Sequence, residues 1–140
     1  MLLHLIVRGK IGKSPEAELV DRYVQRIPWP VKISELPDRG GTMPSVEGKP
    51  VTVVLDEKGQ ALSSTGFAAR LEGWRDQGRR EVRFLIGAAD GHERATRDEA
   101  DLLLSFGPAT WPHMLARAML AEQLYRAISI LQNHPYHRDG

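Results

Sequence analysis

Short apolar runs alternate with helical patterns along nearly the whole chain, and that alternation leaves few folds open. Leu2-Leu-His-Leu-Ile-Val7 is almost continuously apolar and stops at Arg8-Gly9, the pattern of a strand buried on both faces. Ser14-Pro15-Glu16 then starts a helix, with Ser as N-cap and Pro at the first helical position. Leu19, Val20, Tyr23, Val24 and Ile27 give that helix one apolar face, and Pro28-Trp-Pro30 ends it. Val31-Lys-Ile-Ser-Glu-Leu36 alternates, so it reads as a second and more exposed strand. Val51-Thr-Val-Val-Leu55 is the strongest strand, followed by Asp56-Glu-Lys-Gly59. Ser63 or Ser64 caps a helix to about Gln77, with Phe67, Leu71 and Trp74 inward and Gly78 as its stop. Glu81-Val-Arg-Phe-Leu-Ile86 is a strand closed by Gly87-Ala-Ala-Asp-Gly91, and a helix is predicted over roughly Glu93 to Leu104 with Ala100, Leu103 and Leu104 inward.

The last third begins with a tight turn at Phe106-Gly-Pro108, and Ala109-Thr-Trp111 allows only a stub of strand. Pro112 suits a helix start because its missing N–H is not needed there. From His113 to Gln132 the apolar residues recur at three-to-four spacing without Gly or Pro, which predicts one long helix. Its polar residues are Arg117, Glu122, Gln123 and Arg126, and Glu122 stands one turn before Arg126, so the two can pair. The chain then ends in Asn133-His-Pro-Tyr-His-Arg138, whose large hydrogen-bonding side chains are not those of a frayed terminus. This tail is expected to be held in place.

These elements predict a single α/β domain over residues 1–140, with a mainly parallel sheet and flanking helices. Ligands of such sheets bind beyond the carboxyl ends of the strands, here Leu55 to Gly59, Ile86 to Gly91 and Phe106 to Trp111. The Gly/Pro-rich stretch from Pro37 to Pro50 has no periodicity, and a loop that long is functional or mobile.

Nineteen Lys plus Arg against eighteen Asp plus Glu announce no nucleic-acid partner by net charge. Two local basic groups remain: Arg8, Lys10 and Lys13, and Arg79, Arg80 and Arg83. The absence of cysteine excludes disulfides, thiolate chemistry and sulfur-ligated metals. With no apolar run long enough to cross a bilayer, and an N-terminus that reads as a strand rather than a signal peptide, a cytoplasmic protein with no membrane partner is expected. There is no Gly-x-Gly-x-x-Gly after the first strand and no Gly-Lys-Ser/Thr, so a compact, mostly uncharged cofactor fits the strand ends better than a polyphosphate. His134-x-x-His137 lacks further ligands at helical spacing, so no metal is expected. Ser105, with His113 and Asp101, lacks the elbow that exposes a nucleophile.

Several stretches together resemble the bacterial ribosomal large-subunit methyltransferase H family, in the SPOUT class of knotted S-adenosylmethionine-dependent RNA methyltransferases. They are Leu55-Asp-Glu-Lys-Gly-Gln-Ala-Leu-Ser-Ser64, Leu85-Ile-Gly-Ala-Ala-Asp-Gly91, Leu103-Leu-Ser-Phe106, Thr110-Trp-Pro-His113, Glu122-Gln-Leu-Tyr-Arg-Ala127 and Tyr136-His-Arg138. The resemblance covers nearly all of the chain from Val51 onward and less before it. It implies a C-terminal trefoil knot, one of the few exceptions to the rule against knotted chains. It also implies an S-adenosyl-L-methionine pocket in which Leu55 flanks the adenosyl group, Gly87 permits close approach, and Phe106, Gly107, Pro108, Ala109, Thr110 and Trp111 wrap the cofactor. The implied reaction is N3-methylation of a pseudouridine in large-subunit (23S) ribosomal RNA on assembled ribosomes. The implied assembly is a homodimer, one subunit's tail reaching the other's cofactor site. Against the family pattern, the charged helix between the second and third strands is missing, and Ala88 stands where a second glycine is usual.

Such a reaction needs a base, or a stabiliser of the developing anion, at the N3 proton. His137 is the candidate base, since an imidazole ordinarily titrates near physiological pH. Tyr136 can stack on or hydrogen-bond the base, and Arg138 can hold a phosphate or a carbonyl oxygen. Two other readings stay open: a noncatalytic RNA- or ribosome-binding module on the same fold, and an α/β enzyme of small-molecule metabolism.

Overall fold

The computed structural model describes residues 1–87 and 94–138. In chain order the elements are β1 (Leu2–Arg8), α1 (Pro15–Val24), β2 (Val31–Leu36), β3 (Val51–Gln60), α2 (Ser64–Asp76), β4 (Glu81–Ile86), α3 (Arg94–Asp98), β5 (Leu102–Leu104) and α4 (His113–Leu131). The strands form one sheet in the order β2-β1-β4-β3-β5, and every neighbouring pair is parallel. All the carboxyl ends therefore lie along one edge of the sheet.

Period-two alternation sends Leu3, Leu5 and Val7, Val51 and Val53, Val82, Phe84 and Ile86, and Leu102 and Leu104 into one core with Phe67, Leu71 and Trp74 of α2 and Leu120, Leu124, Ala127 and Ile128 of α4. Helix α4 packs between α1 and α2 and touches β4, so it is apolar on more than one side. Truncating Leu124, fully buried at its centre, is expected to cost about 2–5 kcal/mol.

His4, Ile6, Val54 and Arg83 point to the other face and are buried too. The Pro37 to Pro50 loop has no helix or strand and lies against this side through its backbone carbonyls. Arg8 donates to Pro37 O at 3.0 Å and to Gly40 O, Arg83 to Ser45 O at 2.9 Å, and Arg79 to Lys49 O at 3.2 Å. Three arginines thus satisfy carbonyls that a helix would have paired internally.

Three sequence expectations are corrected here. The helix expected over 93–104 is only Arg94–Asp98, with Glu93 outside the described residues, and Leu102–Leu104 is strand β5. A three-leucine run fits either period, and Asp101 decides it. Its carboxylate accepts the Thr52 N–H at 2.8 Å and its N–H donates to Thr52 O at 2.8 Å, so the chain pairs with β3 from that residue on. Ala109-Thr-Trp111 is loop rather than strand. Strand β3 also runs five residues beyond the predicted Leu55. Among the described residues no helix is long and apolar enough to cross a membrane.

Inside the sheet, His4 Nε2 lies 2.8 Å from Ser34 Oγ, while Nδ1 is buried without a hydrogen-bond partner, 3.8 Å from Glu81 Oε1. Burial lowers the His4 pKa below 6.5, outweighing the opposing Glu81 charge. The unfolded chain therefore binds the proton more readily, and stability is lost as pH falls through 6.5. Thermal midpoints taken from pH 7.5 to pH 5 are expected to decline less steeply in His4→Gln; parallel profiles would contradict this.

Candidate cofactor-binding site

At the carboxyl edge β3 does something its sequence did not announce. Leu55 and Gln60 both stand opposite Leu104, so Asp56, Glu57, Lys58 and Gly59 are thrown out of register as an excursion from the sheet. Gly59 makes this possible: a Cβ there would lie 2.5 Å from Leu103 O and 2.6 Å from Leu103 C. Asp56 Oδ1 accepts the Lys58 N–H at 2.9 Å and shapes the excursion as an Asx turn.

The excursion faces the loop that follows β5. Ser105 is buried at the hinge, its Oγ accepting the Gly107 N–H at 3.0 Å while sharing its own proton between Gly107 O at 2.8 Å and Glu57 O at 3.2 Å. Gly107 has φ +105°, a conformation that side-chain-bearing residues rarely adopt. Thr110 Oγ1 donates to Glu57 Oε2 at 2.6 Å, and the exposed Trp111 indole donates back to Phe106 O at 3.3 Å. Arg97 of α3 reaches Asp56 Oδ2 at 3.5 Å.

Between these parts lies a cleft of about 630 Å³, within the range of small-molecule sites. It is lined by Leu55 to Lys58, Ile86, Gly87, Arg97, Leu104, Phe106, Gly107, Ala109 to His113, and Ala116. The three strand ends expected to converge do converge. Of the predicted cofactor residues, Leu55, Gly87, Phe106, Gly107, Ala109, Thr110 and Trp111 line the cleft, and Pro108 does not. Ala88 and Gly91 lie outside the described residues. Glu57, Arg97 and His113 are lining residues that sequence reasoning passed over as site residues. The register slip at Gly59 and the short α3 that place the first two carry no periodic signal.

The tail residues Tyr136, His137 and Arg138 do not line this cleft. They fold back on α4. Tyr136 O–H donates to Glu122 Oε1 at 3.2 Å, its ring lies 4.6 Å from that of Tyr125, and the Arg126 guanidinium sits 4.9 Å from the ring centroid. Burial first, then a hydrogen bond with Tyr23 and the Glu122 charge, push the Tyr136 phenol above its ordinary range and keep it a donor. The expected Glu122–Arg126 pair forms, at 2.6 Å, and Arg126 Nη1 also lies 3.1 Å from His137 Nδ1. A guanidinium can only donate, so Nδ1 is the acceptor in this contact.

Helix α4 measures the separation. His113 lines the cleft, and Glu122 and Arg126, which hold the tail, follow 9 and 13 residues later. At about 1.5 Å per residue that is roughly 14–20 Å along the axis. Reacting atoms must come within about 3–3.5 Å. The tail residues are therefore held well away from the His113 end of the cleft.

The family model described as Predicted SPOUT methyltransferase matches residues 1–137. The chain is 66% identical over 140 residues to a Ribosomal RNA large subunit methyltransferase H of Rhizorhabdus wittichii, and 68% identical over 141 residues to one of Novosphingobium aromaticivorans, with all of each chain covered. These end-to-end alignments leave both relatives no room for an additional helix. A protein of the same name from Paramagnetospirillum magneticum is 47% identical over 154 residues, with 99% of each chain covered.

Because the atoms facing Gly59 are backbone, they cannot yield to a methyl group. Gly59→Ala is expected to destabilise the fold by about 1–3 kcal/mol in denaturant titrations; an unchanged midpoint would contradict the out-of-register excursion.

Proposed function

The chain belongs to the SPOUT methyltransferases, and within them to the ribosomal RNA large subunit methyltransferase H family, and from that membership we propose that it methylates N3 of a pseudouridine in 23S ribosomal RNA on assembled ribosomes, with S-adenosyl-L-methionine as methyl donor. The observation that carries this reading is the cleft where three strand ends meet at the start of α4. Its chemistry fits the donor: Leu55, Ile86, Leu104 and Phe106 offer apolar walls, Gly87 has no side chain to bar approach, and the 106–111 backbone offers donors and acceptors. Asp56 and Glu57 place carboxylates beside a ligand with a sulfonium and an ammonium group. S-adenosylmethionine, when bound, supplies an electrophilic methyl group. Leu55, Gly87 and Phe106 to Trp111 hold it, Pro108 acting by stiffening the loop from outside the lining.

The tail supplies the rest of the site from a second copy of the chain, since its own residues fold back on α4 and do not line their own cleft. In this homodimer Tyr136 orients the target base, Arg138 holds a phosphate or carbonyl oxygen, and His137 takes the N3 proton. Seating the tail on the partner releases His137 Nδ1 from Arg126. The family's trefoil knot, with β5 and α4 threaded through an earlier loop, belongs to the same reading, as does a cytoplasmic location among ribosomes.

Labelled S-adenosylmethionine incubated with ribosomes from a strain lacking this modification is expected to mark one pseudouridine of the 23S RNA. Cofactor binding without transfer would favour a noncatalytic ribosome-binding module. His137→Ala is expected to lower kcat by about 10²-fold or more while cofactor affinity holds; full turnover would remove the base assignment.

A further inference from the structure

The two basic groups of the sequence, which composition cannot rank, lie at opposite ends of the sheet. Arg79 and Arg80 immediately precede β4 at its amino end, where Arg80 O accepts the Leu2 N–H at 2.9 Å. Much of that group is committed to the fold. Arg83 is 6% exposed, pairs with Glu81 at 2.5 Å and holds Ser45 O, and Arg79 holds Lys49 O. The other group lies at the carboxyl edge, where the cleft opens. Arg8 closes β1 and holds the 37–50 loop, while Lys10 and Lys13, on the connection to α1, are exposed.

That connection is tied to the cleft. A Cβ on Gly9 would lie 3.4 Å from Met114 Cε and 3.7 Å from His113 Cε1, so the backbone there packs on the first turn of α4, whose His113 lines the cleft. Beneath it Arg117 is 1% exposed. Its Nη2 donates to Gly9 O at 3.1 Å and its Nη1 to Glu35 Oε2 at 2.7 Å, and the same carboxylate oxygen accepts the Ile11 N–H at 2.8 Å. One buried guanidinium therefore immobilises the backbone on both sides of Lys10 and pairs with the Glu35 carboxylate beside it. Ordering the loop in advance removes an entropic cost from any later binding event.

We propose that the connection between β1 and α1 is a docking surface for the phosphate backbone of the substrate RNA, with Lys10 and Lys13 making the phosphate contacts. This rests on the methyltransferase reading, in which a polyanion must be brought to the mouth of the cleft. Of the nearby acidic groups, Glu35 is engaged by Arg117, Asp38 is exposed beside Gly9, and Glu16 and Glu18 sit in the first turn of α1. A cationic loop held rigid beside the reaction site steers the RNA and retains it without reading its sequence.

Two charge-reversal pairs of equal size decide the matter. Lys10→Glu with Lys13→Glu is expected to raise KM for ribosomes at least about tenfold, with thermal midpoint and S-adenosylmethionine affinity unchanged. Arg26→Glu with Arg80→Glu, two exposed sites at the amino edge, is expected to leave KM near that of the parent. In the milder pair Lys10→Gln and Lys13→Gln, the slope of log affinity for a protein-free rRNA fragment against log salt is expected to shrink by about 1.4, two phosphates at roughly 0.7 each. Equal effects of the two reversal pairs would overturn the proposal. So would normal binding of the protein-free fragment with loss confined to ribosomes, which would assign the loop to a ribosomal protein. A parent protein that neither binds S-adenosylmethionine nor transfers methyl would instead overturn the functional reading beneath it.

Discussion

A straight helix cannot bring its two ends together, and α4 imposes that constraint on everything at its termini. Its first turn completes the cleft through Pro112, His113 and Ala116, and its middle and second half grip the tail through Glu122, Tyr125 and Arg126. Packing against α1, α2 and β4 keeps it from bending to close the gap. The cleft and the anchored tail thus occupy separate places in one chain, and under the proposed function chemistry that needs both joins two chains.

The cleft depends on an all-parallel sheet and on local departures from it. The parallel arrangement delivers the ends of β3, β4 and β5 to one edge, but a regular β3 would have placed Asp56 to Gly59 in the ladder rather than in the pocket wall. Gly59 permits the slip, Ser105 stitches the slipped segment to the following loop, and Glu57 holds Thr110. On the neighbouring side Arg117 does similar work for the β1–α1 connection. Burial opposes ionisation of Glu35, but the hydrogen bonds from Arg117 and from the Ile11 N–H prevail and hold its carboxyl below the ordinary range. The pair thus persists across neutral pH.

What could be read beforehand divides along physical lines. Strands β1, β2 and β4, helices α1, α2 and α4, and the parallel sheet follow from period and capping, because Ser14 and Ser63 do accept the N–H groups of Ala17 and Gly66. The Gly-Pro turn and the strand ends located the cleft, and the family resemblance supplied the ligand proposed for it. Leu102 to Leu104 went wrong because three apolar residues have no measurable period, and the deciding contact, Asp101 with Thr52, spans 49 residues of sequence. Arg117 reads in sequence as one of the polar residues of α4, yet it is among its most buried, since its partners Gly9 and Glu35 lie more than 80 residues away. Long-range pairing of this kind leaves no trace in local pattern. The tail was legible as anchored, through its unusual residues, though not where it was anchored.

Mixed dimers test the division of the proposed site between chains most directly. A chain whose cleft is filled by Gly87→Arg and a chain carrying His137→Ala are each inactive alone. Refolded together, they form heterodimers in which one intact cleft faces one intact tail. Methyl transfer is predicted to return to about a quarter of the parent level at equal mixing, half the dimers each carrying one of two sites. No recovery, with heterodimers demonstrably present, would mean that each chain completes its own site and that the separation along α4 is not the constraint proposed.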